Sequence, residues 1–181
     1  MERKGTVYFF TGLAGAGKTT IGSLFYERLK ERSPEAVLLD GDQIRGEIGD
    51  SCPATGAVLN EDRYTTNARK YGARALFMRC RGLADQGKDV VCCSISMYTD
   101  VRQWNRENIE NYREIYVKVT RETLYRRDQK KLYSSGAKNV VGVDLPYDEP
   151  GHSDIVIQND GEETPEAVVA RLTAFFGLDG K

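Results

Sequence analysis

Short apolar blocks alternate along the chain with longer stretches in which apolar residues recur every three to four positions. The first block, Val7-Tyr8-Phe9-Phe10, predicts a strand over residues 6–11. Ile21, Leu24 and Leu29 then share one side of a helix predicted over 18–32, which Ser33-Pro34 ends. Ala36-Val37-Leu38-Leu39 reads as a second strand, followed by a short helix over 43–48 and a loop over 49–60. A long helix is expected over 61–86, packing through Ala68, Tyr71, Ala75, Leu76, Met78 and Leu83. Three more strands are predicted over 89–93, 113–119 and 154–157, with helices over 100–111 and 121–128 between them. Thr164-Pro165 opens a last helix as N-cap and first helical residue, with Val168, Leu172, Phe175 and Phe176 on its apolar face. Strands alternating with helices predict a mostly parallel sheet between two helical layers. No repeat or low-complexity stretch divides the chain, so residues 1–181 are expected to form one domain.

The first strand runs into Gly12-Leu13-Ala14-Gly15-Ala16-Gly17-Lys18-Thr19-Thr20, a G-x-x-x-x-G-K-[ST] phosphate-binding loop between strand and helix. Its glycines let backbone N–H groups turn inward onto phosphate oxygens, and the helix N-terminus adds its positive dipole end. Gly15, Ala16, Gly17, Lys18, Thr19 and Thr20 are the expected ATP contacts. Lys18 reaches the β- and γ-phosphates, and the Thr19 hydroxyl joins the Mg²⁺ shell. Asp40-Gly41-Asp42 ends the second strand, at the edge where such sheets bind ligands. Residues 129–150 are too long and too rich in Gly, Ser, Lys and Tyr for a plain connector, and predict a lid.

Composition narrows the choice. With 26 basic and 27 acidic residues the net charge is −1, which argues against a bulk nucleic-acid binder. No apolar stretch approaches the ~20 residues of a membrane span. The polar start runs directly into the first strand without a signal-peptide pattern, so a cytoplasmic location is expected. Cys52, Cys80, Cys92 and Cys93 follow no zinc spacing, and Cys92-Cys93 reads as reduced filler of a buried strand. The single histidine, His152, has no dyad partner near it and reads as a loop residue.

Further segments extend the phosphate loop into an ordered set. They are Leu39-Asp40-Gly41-Asp42 with Arg45, Asp62-Arg63, the stretch from Asn67 to Gly72, and Ile95-Ser96-x-Tyr98. Arg127-Asp128-x-Lys130-x-Leu132-Tyr133 and Lys138-Asn139-x-x-Gly142-x-Asp144-x-Pro146-Tyr147 complete it. With these the chain resembles the adenylylsulfate (APS) kinase family. The resemblance implies a three-layer α/β/α P-loop NTPase fold with a lid. It also implies transfer of the ATP γ-phosphate to the 3′-hydroxyl of a 5′-modified nucleotide such as adenosine 5′-phosphosulfate. By that resemblance Asp42 is the base or orienting group for the acceptor hydroxyl. Arg45 and Arg63 clamp the acceptor's anionic tail, and Asn67, Ile95, Ser96 and Lys138 contact the acceptor. Arg127 lies over the ATP base and Lys130 sits in the lid on the acceptor side. The partner implied is a small-molecule nucleotide, and the family often dimerises.

The departures from the family gather on the acceptor side. Val58 and Val140 stand where APS kinases place the phenylalanines that sandwich adenine, and Ser94 replaces a third. The lid segment Ser134-Ser135-Gly136-Ala137 is short, and the Arg63–Asn67 spacing is a residue longer than usual. Tyr64, Tyr98 and Tyr133 are candidate replacement stacks. The substitutions also match the cytidine diphosphoramidate kinases, cousins that phosphorylate a smaller pyrimidine nucleotide. The stretch Asn105-Arg106-x-Asn108-Ile109-x-Asn111-Tyr112 is similar to that group. Two other classes stay open at this point: a non-catalytic P-loop sensing module, and a kinase for a small non-nucleotide alcohol or acid.

Overall fold

A computed structural model of the chain describes residues 3–42, 66–128 and 131–179. Five strands are present among them: β1 (Val7–Thr11), β2 (Val37–Asp40), β3 (Val90–Cys93), β4 (Tyr112–Lys118) and β5 (Ile155–Gln158). The helices are α1 (Lys18–Lys30), α2 (Thr66–Asp85), α3 (Thr99–Asn108), α4 (Arg121–Arg127) and α5 (Pro165–Phe175). The expected helix over 43–48 and the loop over 49–60 lie outside the described residues, as do Arg45, Val58, Arg63, Tyr64 and Lys130.

The strands form one all-parallel sheet in the order β2-β3-β1-β4-β5. After β1 the chain builds out to one side through β2 and β3. It then crosses to the other side for β4 and β5, so β1 marks the point where the winding reverses. Ligands of such sheets bind beyond the strand C-termini at this reversal, which is where residues 12–20 follow β1.

Strand alternation sorts the core into two layers. Val7, Phe9, Leu39, Val90 and Cys92 face α2 and α3, together with Ala73, Leu76, Phe77, Val101 and Tyr112. Tyr8, Phe10, Val91, Cys93, Ile115, Val117 and Ile157 face α1 and α5, with Ile21, Phe25, Val168 and Leu172. β1 and β3 are buried along their whole length, as expected for parallel strands covered on both faces. Two packing expectations are corrected. Met78 and Phe175 are 47% and 55% exposed. On α2 the buried face instead uses Phe77, Cys80 and Ala84. On α5, Phe176 packs onto the core while Phe175 turns edge-on to it, 5.0 Å away. Thr164 caps α5 by accepting the Ala167 N–H, and Pro165 sits in the first turn, as the sequence predicts.

Burial holds the Cys93 thiol up at about 12, with the Asp40 charge adding to it, and the neighbouring Cys80 together with burial raises Cys92 well above the ordinary thiol value. Both are therefore inert thiols, consistent with their reading as core filler.

The Asn105-Arg106-x-Asn108 stretch has a structural role. The Arg106 guanidinium lies 3.3 Å from the carboxylate of Glu114, which is only 2% exposed. Glu114 also accepts hydrogen bonds from Tyr112 Oη and Ser153 Oγ. Asn105 Nδ2 donates to Tyr112 Oη, and Arg106 also donates to the His152 carbonyl. This network fastens α3 to β4 and to the turn before β5. Tyr112 begins β4 and pairs with Val7 at the start of β1, so the network lies toward the strand end opposite the phosphate loop.

Candidate functional site

Residues 12–17 leave β1 in a loop that uses positive φ at Gly12, Gly15 and Gly17, and α1 starts at Lys18. Four successive carbonyls in this loop accept side-chain hydrogen bonds. Lys18 Nζ donates to Leu13 O at 2.9 Å and Tyr133 Oη to Ala14 O at 2.7 Å. Arg127 Nη1 donates to Gly15 O at 3.3 Å and Asn159 Nδ2 to Ala16 O at 2.7 Å. Each peptide is planar and trans, so a carbonyl held to one side points the next N–H to the other. The Ala14, Gly15 and Gly17 N–H groups are thereby left for an anion, while the Ala16 N–H closes the loop by donating to Leu13 O at 3.1 Å, and the N-terminus of α1 adds its partial positive charge.

Asp40 ends β2 beside Cys93 of β3 and reaches across to α1. Its Oδ2 accepts from Thr19 Oγ1 at 2.8 Å, while its Oδ1 accepts the Asp42 backbone N–H at 2.9 Å. One carboxylate thus links the P-loop hydroxyl to the Asp40-Gly41-Asp42 turn. Its place next to Asp42, at a strand end, was the signal in the sequence. Among the described residues no cluster of three His, Cys, Asp or Glu side chains forms a metal cage. Mg²⁺ seldom uses such cages: one or two carboxylates, waters and substrate phosphates serve it, and it prefers oxygen. The Thr19 hydroxyl and the Asp40 and Asp42 carboxylates are a donor set of that kind.

Ser96 follows β3 with φ 34°, a strained value for a residue with a side chain. The turn is held by Thr11 Oγ1 donating to Ile95 O and by Tyr98 N–H donating to Ser96 O at 2.9 Å. Ser94 Oγ and Ser96 Oγ form a buried pair 2.8 Å apart. Ser94 also fills the space beside Gly41: a Cβ on Gly41 would fall 2.8 Å from Ser94 Oγ. The Ile95-Ser96 turn is therefore packed against the Asp40-Gly41-Asp42 turn.

The segment 131–150 closes over this edge. Its Tyr133 grips Ala14. Gly142, at φ +87°, is crowded by Leu13 of the phosphate loop, whose Cδ2 would lie 2.9 Å from a Cβ. Arg69 Nη2 of α2 donates to Asn139 O at 2.8 Å, and the Asp144 carboxylate accepts the Asn139 and Val140 N–H groups. Asp148 donates its N–H to Met97 O and accepts the Thr99 N–H, both at 2.8 Å, so it clamps the segment's far end onto the Ser96 turn. These backbone N–H donors hold the Asp144 and Asp148 carboxyls below the usual carboxylate range. A depressed folded value contributes stability above the unfolded carboxylate pKa of ~3.9, and that contribution is lost as pH falls through the folded value. Amide-exchange protection of residues 138–148 is therefore expected to stay level from pH 7 to about 4.5 and then to fall. Asp144→Asn is expected to lower that protection already at pH 7, by weakening the two charge-assisted bonds. Equal protection in mutant and wild type at pH 7 would remove Asp144 as the lid anchor.

The structure brings Gly15, Ala16, Gly17, Lys18, Thr19, Thr20, Asp42, Ile95 and Ser96 to one edge of the sheet. Asn67 is exposed in the first turn of α2 and Lys138 is exposed beside Asn139. Arg127 is exposed and bridges the loop to the end of β5, its Nη2 donating to Asn159 O at 2.7 Å. Of the two described tyrosines proposed as replacement stacks, Tyr98 is buried and Tyr133 is half-buried. Tyr98 is 5% exposed with the Lys70 ammonium 5.4 Å from its ring centroid, and Tyr133 is engaged with the P-loop. Val140 is buried, only 6% exposed. Asp40, Tyr133 and Asn159 belong to the site, although sequence reasoning gave none of them its present part.

The family model for adenylylsulphate kinase matches residues 4–158. A Campylobacter jejuni protein named cytidine diphosphoramidate kinase is 35% identical over 180 residues, covering 95% of this chain and 99% of that protein. An adenylyl-sulfate kinase of Picosynechococcus is 32% identical over 172 residues, covering 93% of this chain and 92% of its own. The solved Mycobacterium tuberculosis APS kinase in complex with AMPPNP and APS superposes with a TM-score of 0.82. That match covers 97% of this chain and 99% of the other, and at 23% identity it is a likeness of fold.

Proposed function

The chain belongs to the adenylylsulphate kinase family, and from that premise we propose that it phosphorylates the ribose 3′-hydroxyl of a cytidine nucleotide with a phosphoramidate tail, cytidine diphosphoramidate. ATP is the phosphate donor of the family's kinases. The single observation that carries this acceptor is the small, buried Val140, where the resemblance implies one of the two phenylalanines that sandwich adenine; Ser94, also buried, stands at a third phenylalanine position. An aromatic stack on a base contributes about 1–3 kcal/mol in single-strand binders. Without the stacks, a base held at its edge by hydrogen bonds is favoured over a sandwiched purine. The relative at 35% identity named for that acceptor supports the same reading.

In the proposed mechanism the loop N–H groups and Lys18 bind the β- and γ-phosphates in line with the acceptor. Asp42 takes the proton of the 3′-hydroxyl as its oxygen bonds to the γ-phosphorus. The bond from the γ-phosphorus to the β–γ bridging oxygen breaks, and ADP leaves. Thr19 and Asp40 would hold Mg²⁺, and the ion would supply charge neutralisation on the phosphate oxygens. Arg45 and Arg63 suit the anionic tail, since a guanidinium presents a fork of donors to several oxygens. Asn67, Ile95, Ser96, Lys130 and Lys138 complete the acceptor side in this reading, and Arg127 covers the ATP base.

Adenosine 5′-phosphosulfate is the second reading, favoured by the adenylyl-sulfate kinase at 32% identity over nearly the whole chain. ADP release with MgATP and each acceptor, compared by kcat/KM, separates the two. A higher value with cytidine diphosphoramidate is expected. A higher value with APS would overturn the proposal and assign the chain to sulfate activation.

A further inference from the structure

We propose that Asn159 is a positioning residue for ATP, acting on the triphosphate through the carbonyl of Ala16. It lies one residue past β5, beyond the segments that carry the phosphate-binding signature. Two distances describe its placement. Its Nδ2 donates to Ala16 O at 2.7 Å, from 143 residues away in sequence. The same nitrogen would lie 2.5 Å from a Cβ on Gly17, so the absence of a side chain at Gly17 is what lets the amide in.

The chemistry follows from the peptide plane. Fixing the Ala16 carbonyl toward Asn159 turns the Gly17 N–H to the opposite side. Gly17 holds φ 100° at the N-cap of α1, with no side chain to lock the turn and no side-chain cap. A glycine there has wide backbone freedom, and its N–H scatters unless the carbonyl before it is held. Asn159 supplies that hold. Its own position is set without its side chain: its N–H donates to Lys118 O at 2.8 Å and its carbonyl accepts from Arg127 Nη2. Arg127 in turn donates to Gly15 O, so the end of β5 and α4 grip neighbouring carbonyls of the loop from one side. A pre-set anion cradle binds the triphosphate without ordering the loop at that moment. An asparagine suits the task and an aspartate does not, because only the amide is a donor toward a carbonyl.

The inference rests on ATP as donor and is independent of which acceptor is used. Its test compares wild type with Asn159→Ala and the isosteric Asn159→Asp in the full chain. The affinity of a non-hydrolysable ATP analogue with Mg²⁺ is measured by calorimetry, alongside the melting temperature of the protein without nucleotide. Turnover gives the KM for ATP and, at saturating ATP, the KM for whichever acceptor is active. The expected result is a tenfold or greater loss of analogue affinity in Asn159→Ala and a larger loss in Asn159→Asp, where a carboxylate faces the carbonyl. The KM for ATP rises in parallel, while the acceptor KM and the nucleotide-free melting temperature stay near wild type. Analogue affinity within twofold of wild type in both variants overturns the proposal. So does a fall in melting temperature that accounts for the lost affinity, since Asn159 would then be part of the general fold. Exchange of the acceptor preference alone would leave this inference standing and bear only on the acceptor.

Discussion

Lys18→Ala is expected to abolish phosphoryl transfer, with kcat falling by about 10³-fold or more. Lys18 opens α1 directly after the loop and lies only partly buried, its ammonium 2.9 Å from the Leu13 carbonyl at the loop's mouth. Charge spreads over the γ-phosphate oxygens in the transition state, and a preorganised cation there matters more than it does in the ground state. Loss of one such donor commonly costs about 3–4 kcal/mol of transition-state stabilisation. The side chain contributes nothing to the apolar core, so the mutant is expected to keep its fold. Single-turnover ADP formation with saturating ATP and acceptor measures the effect. Turnover within tenfold of wild type would sink the P-loop assignment.

Asp42→Asn is expected to separate binding from chemistry. Asp42 is exposed and stands two residues past β2, its backbone N–H pinned by Asp40 Oδ1. The substitution preserves that backbone contact and the side-chain shape, but removes a carboxylate able to accept the proton of the acceptor hydroxyl. General-base removal lowers rates by roughly 10²–10⁴-fold. The affinity for a non-hydrolysable ATP analogue is expected to change little. If analogue affinity with Mg²⁺ falls instead, Asp42 belongs with Thr19 and Asp40 at the ion, and another group takes the proton.

The place of Lys18 was readable because it depends on local spacing: strand, glycine loop and helix are contiguous. The end of β2 was readable for a similar reason, since parallel strands deliver their C-terminal residues to one edge. Asp40 was harder. As a sequence feature it is indistinguishable from a helix cap, and only the adjacency of β2, β3 and α1 brings it to the Thr19 hydroxyl. The stretch from Asn105 to Tyr112 shows the opposite case. Its similarity to the cytidine diphosphoramidate group does not say what the residues do: Arg106, Asn105 and Tyr112 serve the buried Glu114 toward the other end of the sheet. A charged side chain in such a place requires a partner, and that need accounts for Arg106 without any ligand.

Alternating strand and helix patterns, together with the phosphate loop, were sufficient in the sequence to establish a parallel sheet with a nucleotide site at one edge. They were sufficient because hydrophobic periodicity and the backbone geometry of a glycine loop are local properties. The partners that orient the loop were decided only by the tertiary structure. Tyr133, Arg127 and Asn159 lie 119, 112 and 143 residues from the carbonyls they hold. No local pattern marks a side chain whose target is a backbone carbonyl, because every residue carries one and only the strand order determines which of them it meets.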